Sequence, residues 1–245
     1  MGADPVSTAA PRLQGRWLAL AQAAWVASAA LIALLIVFAV PSSFHSLTTV
    51  CTHGACSGPQ LTAAQARELG RAGISIQVYA AAILAHEILF ALVSFAVAAL
   101  IVWRKREERI ALFGGLTLLS FGAAFPNTLS ALATLHPVVT PLVGGVDFVG
   151  ISCLLVFFYL FPDGRFVPLW GRWVVPLVLI GLAFQSLGGQ FHRSAVLYVW
   201  FLLGLGGPLA AQIYRYRRVS GTLQRQQTKV VVAGLVVAIV GFLGV

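Results

Sequence analysis

The residues best able to do chemistry lie inside long apolar runs. His86 and Glu87 are adjacent in the run 74–103, Asn127 follows Pro126 in the run 110–134, and Asp147 lies in the run 138–161. Ionisable groups at membrane depth are costly and by default mark ligand, ion or proton sites. His86, Glu87, Asn127 and Asp147 are therefore the candidate ligand or proton residues. Two readings stand side by side. In one, Glu87 is structural glue, bonded to a neighbouring helix with His86 packed beside it. In the other, Glu87 and Asp147 bind a ligand or couple an ion, and Asp147 is partnered by His86, Asn127 or a water-filled pocket. Gly144 and Gly145, just before Asp147, permit a close helix approach there. Neighbours on a helix point about 100° apart, so His86 and Glu87 cannot face one partner squarely. A zinc-protease HEXXH motif would need histidine where Phe90 stands.

The run Cys51-Thr-His-Gly-Ala-Cys56 also admits two readings. On the oxidising side of a membrane, two cysteines this close pair as a disulfide, and Gly54 lets the loop close. The weaker alternative is a metal site built from His45, Cys51, His53 and Cys56, which are the right ligand types for zinc. That spacing matches no known finger, and a disulfide would consume both thiolates. Cys153 lies mid-run and reads as an inert apolar residue. There is no Gly-x-Ser-x-Gly elbow, no Walker A sequence and no usable Gly-x-Gly-x-x-Gly loop. No enzyme activity and no cofactor are expected within these 245 residues.

The elements that position these groups follow from composition. Of the 245 residues, 59% are hydrophobic and 9% are charged, against roughly 45–50% and about 25% in soluble domains. A soluble enzyme, a disordered tail and a coiled coil are excluded. The fold class expected is all-α, a polytopic transmembrane helix bundle of about seven helices. The spans fall at about 17–40, 74–103, 110–134, 138–161, 174–190, 195–214 and 230–245, with a tail at 1–16 and an outer loop at 41–73. Breaks are expected at Pro126-Asn127 and at Gly206-Gly207-Pro208. Within the outer loop, Leu61 to Gly70 reads as a short helix capped by Thr62. The first run is too long for a signal peptide, and the last, still apolar at Val245, reads as truncated. With the N-terminus in the cytoplasm, thirteen of the 16 basic residues fall on the inner side, leaving Arg67, Arg71 and Arg193 outside. The net charge of +9 thus faces a lipid bilayer with an anionic inner leaflet. Spread over several loops, it does not point to nucleic acid.

Two inner loops carry a family resemblance. The first is Phe161-Pro-Asp-Gly-Arg-Phe-Val-Pro168, followed by Trp170, Arg172 and Trp173; the second runs through Tyr214-Arg-Tyr-Arg-Arg-Val-Ser220 to Gln224-Arg-Gln-Gln-Thr-Lys229. Together they resemble the membrane sensor region of ComP-like bacterial histidine kinases, where FPDGRFVP-type and RQQTKW-type loops recur between spans. Gly73-Ile-Ser75 and Tyr79-Ala80 look similar as well. The chain departs from that pattern in having Val230 after the Thr-Lys pair, no ATP-binding domain, and no histidine in a cytoplasmic segment. The resemblance implies a sensor or anchor region in the cell membrane that relays an outer or intramembrane signal to a cytoplasmic output domain, a histidine kinase, that these 245 residues do not contain. Asp163, Gly164, Arg165, Arg225 and Lys229 are its relay-loop candidates. A second copy of the chain is a candidate partner, alongside a signal ligand that the residues do not specify. The rival from another class is a small ion- or proton-coupled transporter using Glu87 and Asp147.

The asymmetry of basic residues is directly testable. A single cysteine introduced at Gln65 should react with an impermeant thiol reagent added outside intact cells, and one at Glu107 should not; the opposite labelling would invert every loop assignment.

Overall fold

In a computed structural model of the chain, described for residues 13–51, 59–161, 164–186 and 202–218, every regular element is helical. They are α1 (Gly15–Thr48), α2 (Ala63–Arg71), α3 (Ile76–Lys105), α4 (Arg109–Ala124), α5 (Thr128–Leu135), α6 (Thr140–Leu160), α7 (Gly171–Ser186) and α8 (Gly207–Arg218). A 3-10 turn at Pro137–Val139 leads into α6, and a π turn at Leu202–Gly206 leads into α8. Cys51 and Thr62 make an isolated parallel bridge, and no strand occurs among the described residues.

Three helical stretches are long and apolar enough to cross a membrane: Gly15–Thr48, Ile76–Lys105 and Pro137–Leu160. The pair α4 and α5 makes a fourth if the two together are one span, although they are bent by 58° at the break. The chain is thus a helical membrane protein by the length and composition of its helices. The break falls at Pro126 and Asn127, as the sequence leads one to expect. Over its described residues α7 is shorter than a span requires, and 187–201 and the run 230–245 lie outside the described residues.

Two element boundaries differ from expectation. Helix α1 does not stop at 40 but passes through Pro41 to Thr48. Ser42, Ser43 and Leu47 are buried there, and Leu47 packs with Ala80 and Leu84 of α3. Tertiary packing of this kind outweighs the one backbone bond that a proline removes. The outer loop is correspondingly shorter. It is held by Cys51 N–H donating to Leu61 O, by Gln60 Nε2 donating to Thr49 O, and by the Tyr79 hydroxyl donating to Pro59 O. Helix α2 occupies the stretch assigned to a short helix and is capped by Thr62, whose hydroxyl accepts from Gln65 N–H while Gln65 Oε1 accepts from Thr62 N–H. Secondly, Tyr214 to Arg218 is helix, not loop, because α8 continues to Arg218.

The chain divides into two compact units. One takes residues 22–101 and 115–153; the other takes the described residues of 1–21, 102–114 and 154–245. The core of the first is an apolar cluster in which Leu35 and Ala39 of α1, Ala98 of α3, Leu119 of α4, Leu129 of α5 and Val146 of α6 are buried together. Helices α4 and α6 approach closely at Gly150, where an added Cβ would lie 2.8 Å from both Ser120 O and Ala124 Cβ. Gly144 and Gly145, expected to allow the approach, face open space instead. The reason is helical phase: Val143, Val146 and Gly150 form the inward face of α6, and Gly144 and Gly145 lie off it. The core of the second unit is a smaller cluster of Tyr159, Val175 and Ala211.

Gly150→Ala should therefore lower unfolding stability by about 1–3 kcal/mol in mixed detergent micelles, because backbone is the obstacle, whereas Gly144→Ala should leave it unchanged. Equal effects of the two would refute the α4–α6 contact.

Candidate functional site

Glu87 lies eleven residues into the 30-residue helix α3, and it is buried. Its inward position comes from α3's periodicity: Ala80, Leu84, Glu87, Ala91 and Ala98 are the buried residues of that helix. His86 is exposed on another side of α3, as the angle between adjacent residues requires. The Glu87 carboxyl group meets the break between α4 and α5. Its Oε1 accepts from Asn127 N–H at 3.1 Å, and its Oε2 accepts from the Thr128 hydroxyl at 2.6 Å. Thr128 itself is buried.

These contacts correct the expected role of Asn127. Its side chain is exposed and makes no capping bond. It takes part through its backbone, while the Asn127 carbonyl accepts from Ala131 N–H and the Ser130 hydroxyl. A helix start leaves backbone N–H groups without an intrahelical partner. Here α3 supplies the acceptor from outside the helix, with negative partial charge on the side the helix dipole favours. Phe90, one turn beyond Glu87, grips the other side of the break. It packs against Phe121 of α4 and Phe125 just after it at centroid separations of 6.2 and 5.3 Å, and those two lie 5.2 Å apart. Position 90, where a metalloprotease would carry histidine, is thus an aromatic wedge. Thr128 went unnoticed in the sequence, although Pro126-Asn127-Thr128 is a break followed by two helix-capping residue types.

Asp147 is half-buried and makes no hydrogen bond or ion pair among the described residues; His86 and Asn127 are not its bonded partners. A groove of about 290 Å³ opens beside it, lined among others by Ser28, Ile32, Ser120, Gly145, Val146 and Val149, but not by Asp147 or Glu87. The Ser120 hydroxyl in that groove donates to Leu116 O, so its walls are effectively apolar.

Cys51 is disulfide-bonded, which removes its thiolate from the metal set with His45, His53 and Cys56. His53 and Cys56 lie outside the described residues. Among the described residues no three His, Cys, Asp or Glu side chains gather as a metal site. Cys153 is a free thiol on α6.

The second polar site is the corner between α6 and α7. Gly164 takes the left-handed conformation that glycine adopts without strain, with φ of 75°, and its N–H donates to Leu160 O. Two side chains of α8, one turn apart and both fully buried, hold this corner. Gln212 Nε2 donates to Phe158 O and Phe161 O, and the Arg215 guanidinium donates to Arg165 O. Phe158 O in the last turn of α6, and Phe161 O and Arg165 O in the corner after it, thereby receive donors from another helix. Tyr159 packs below them, edge-on to Trp170 at 6.0 Å, and a Cβ at Gly171 or Gly207 would collide with its side chain. Arg165 acts through its carbonyl, with its side chain at the surface. Asp163, Arg225 and Lys229 lie outside the described residues.

Comparison of the chain with protein-family models, curated proteins and solved structures finds no match in any of the three.

The Glu87 bonds make a graded prediction. Glu87→Leu leaves Asn127 N–H and the buried Thr128 hydroxyl without an acceptor, and should cost about 2–4 kcal/mol of unfolding free energy in micelles. Glu87→Gln keeps one acceptor oxygen and should cost roughly half as much. Thr128→Val in the Glu87→Leu background should cost less than in the native chain; additive losses would show that the pair does not interact.

Proposed function

We propose that the chain is a multi-pass sensor and relay region of a bacterial signalling protein, with its N-terminus in the cytoplasm and seven spans. The output it serves would be a histidine kinase, as the loop resemblance implies. One observation supports this reading above the others. The two segments that carry the resemblance meet where the Arg215 guanidinium holds the Arg165 carbonyl, and Gln212, just before the second segment, holds the carbonyls of Phe158 and Phe161 beside it. A relay needs an element that is packed in one discrete way and released in another. Buried side-chain donors on main-chain carbonyls give such an element, since each bond is either made or lost. The π turn before α8 is a local irregularity of a kind frequent at functional positions in helices.

The transporter reading draws less support. Both Glu87 oxygens are engaged by the α4–α5 break, and no hydrogen bond links Glu87 with Asp147 among the described residues.

The test is made in cells producing the protein. Arg215→Gln removes a charge-assisted bond worth about 1.5–3 kcal/mol, enough to move a two-state equilibrium at least tenfold. A defined set of transcripts should change while membrane abundance of the protein stays normal, and Arg215→Lys should change it less. Unaltered transcripts at normal abundance would leave the corner as a structural anchor. Proton flux into proteoliposomes carrying the native chain would favour transport instead.

A further inference from the structure

The start of α1 and the turn between α3 and α4 form a second feature that the relay does not use. Leu13 N–H donates to Glu107 O at 2.8 Å, which ties the chain just before α1 to that turn. Beside this bond lies an open groove of about 620 Å³, within the size range of small-ligand sites, roughly 300–1,000 Å³. Its wall is made by Leu13 and Gln14 just before α1 and by Trp17, Leu20 and Ala21 in its first turns, and its rim is Arg109 at the start of α4. Trp17 and Leu20 are strongly exposed, at 62% and 58%. The Arg16 guanidinium lies over the Trp17 ring at 5.5 Å.

The charge around the groove is one-sided. Arg16, Arg104, Lys105, Arg106 and Arg109 face two acids, Glu107 and Glu108. Glu108 is already engaged by Lys105 at 2.7 Å. Arg109 is exposed and makes no hydrogen bond or ion pair among the described residues. An apolar, aromatic wall that ends in an unengaged guanidinium is complementary to a molecule with an apolar body and an anionic head. Long apolar helices place this end of α1 and α4 where hydrocarbon gives way to water.

We propose that this groove binds a single anionic phospholipid, with the phosphate on Arg109 and the upper acyl chain along Trp17 and Leu20. Arginine suits phosphate because its planar fork donates two parallel bonds. A free phosphate would use the same guanidinium but would gain nothing from the α1 wall.

The purified chain in a neutral detergent is titrated with phosphatidylglycerol, phosphatidylcholine or inorganic phosphate, and bound lipid is counted by native mass spectrometry. One phosphatidylglycerol should bind in preference to phosphatidylcholine. Arg109→Gln should weaken it about tenfold, the loss of one charge-assisted bond. Arg104→Gln, at a base near the end of α3 that does not line the groove, should leave binding unchanged. Trp17→Ala should weaken phosphatidylglycerol without affecting inorganic phosphate. Arg109→Lys keeps the charge and should retain the preference, which covers a failure of the glutamine variant to fold. Equal losses at Arg104 and Arg109 would mean diffuse attraction to a basic surface and overturn the proposal. So would equal binding of the two lipids, or displacement of phosphatidylglycerol by inorganic phosphate with Trp17→Ala silent.

Discussion

The architecture around 22–101 and 115–153 depends on one carboxyl group meeting one helix start. Hydrocarbon offers no hydrogen bonds, so a break within a membrane helix is tolerated only where protein groups receive the freed backbone. At Pro126 and Asn127 the chain turns by 58°, and Glu87 accepts from the backbone N–H and the threonine hydroxyl that this turn presents. An acid at this depth and a helix break are each costly alone. Together they satisfy one another, with Phe90, Phe121 and Phe125 closing the side that hydrogen bonds do not reach.

The corner after α6 follows the same rule with the polarity reversed. There the surplus groups are carbonyls, and the donors are the amide of Gln212 and the guanidinium of Arg215. Both sites are irregularities in the backbone repaired by a side chain from a distant helix, and both repairs are buried. Apolar packing between membrane helices has little hydrophobic drive of its own. Directional bonds of this kind therefore fix which helix faces which, while the small-residue contact at Gly150 fixes how close two of them come.

Much of this was legible in the residues, and the failures have physical causes. The apolar runs, the break at Pro126, the Thr62 cap and the turn at Gly164 each rest on local chemistry, and local chemistry is written in sequence. Glu87 was legible as an unusual residue with two roles open, but its partner was not: Thr128 is 41 positions away, and only the fold brings them together. Gly144 and Gly145 drew notice as a pair, yet the single Gly150 sits on the inward face. Pro41 suggested an end to α1 that packing against α3 overrides. Arg215 looked like one more basic loop residue, because nothing local marks it as buried.

The 58° bend also bears on how the chain enters a membrane. A segment bent by 58° is a poor substrate for insertion as an isolated straight rod, and α3 carries an acid whose placement at mid-bilayer costs about 2.5–3.5 kcal/mol on insertion scales. Neither is well suited to wait alone in lipid. Asn127 and Thr128 emerge from the ribosome 40 and 41 residues after Glu87, so the acid has no acceptor-hungry partner until that stretch has been made. Helix α3 and the broken pair are accordingly better matched to lipid together than either is alone.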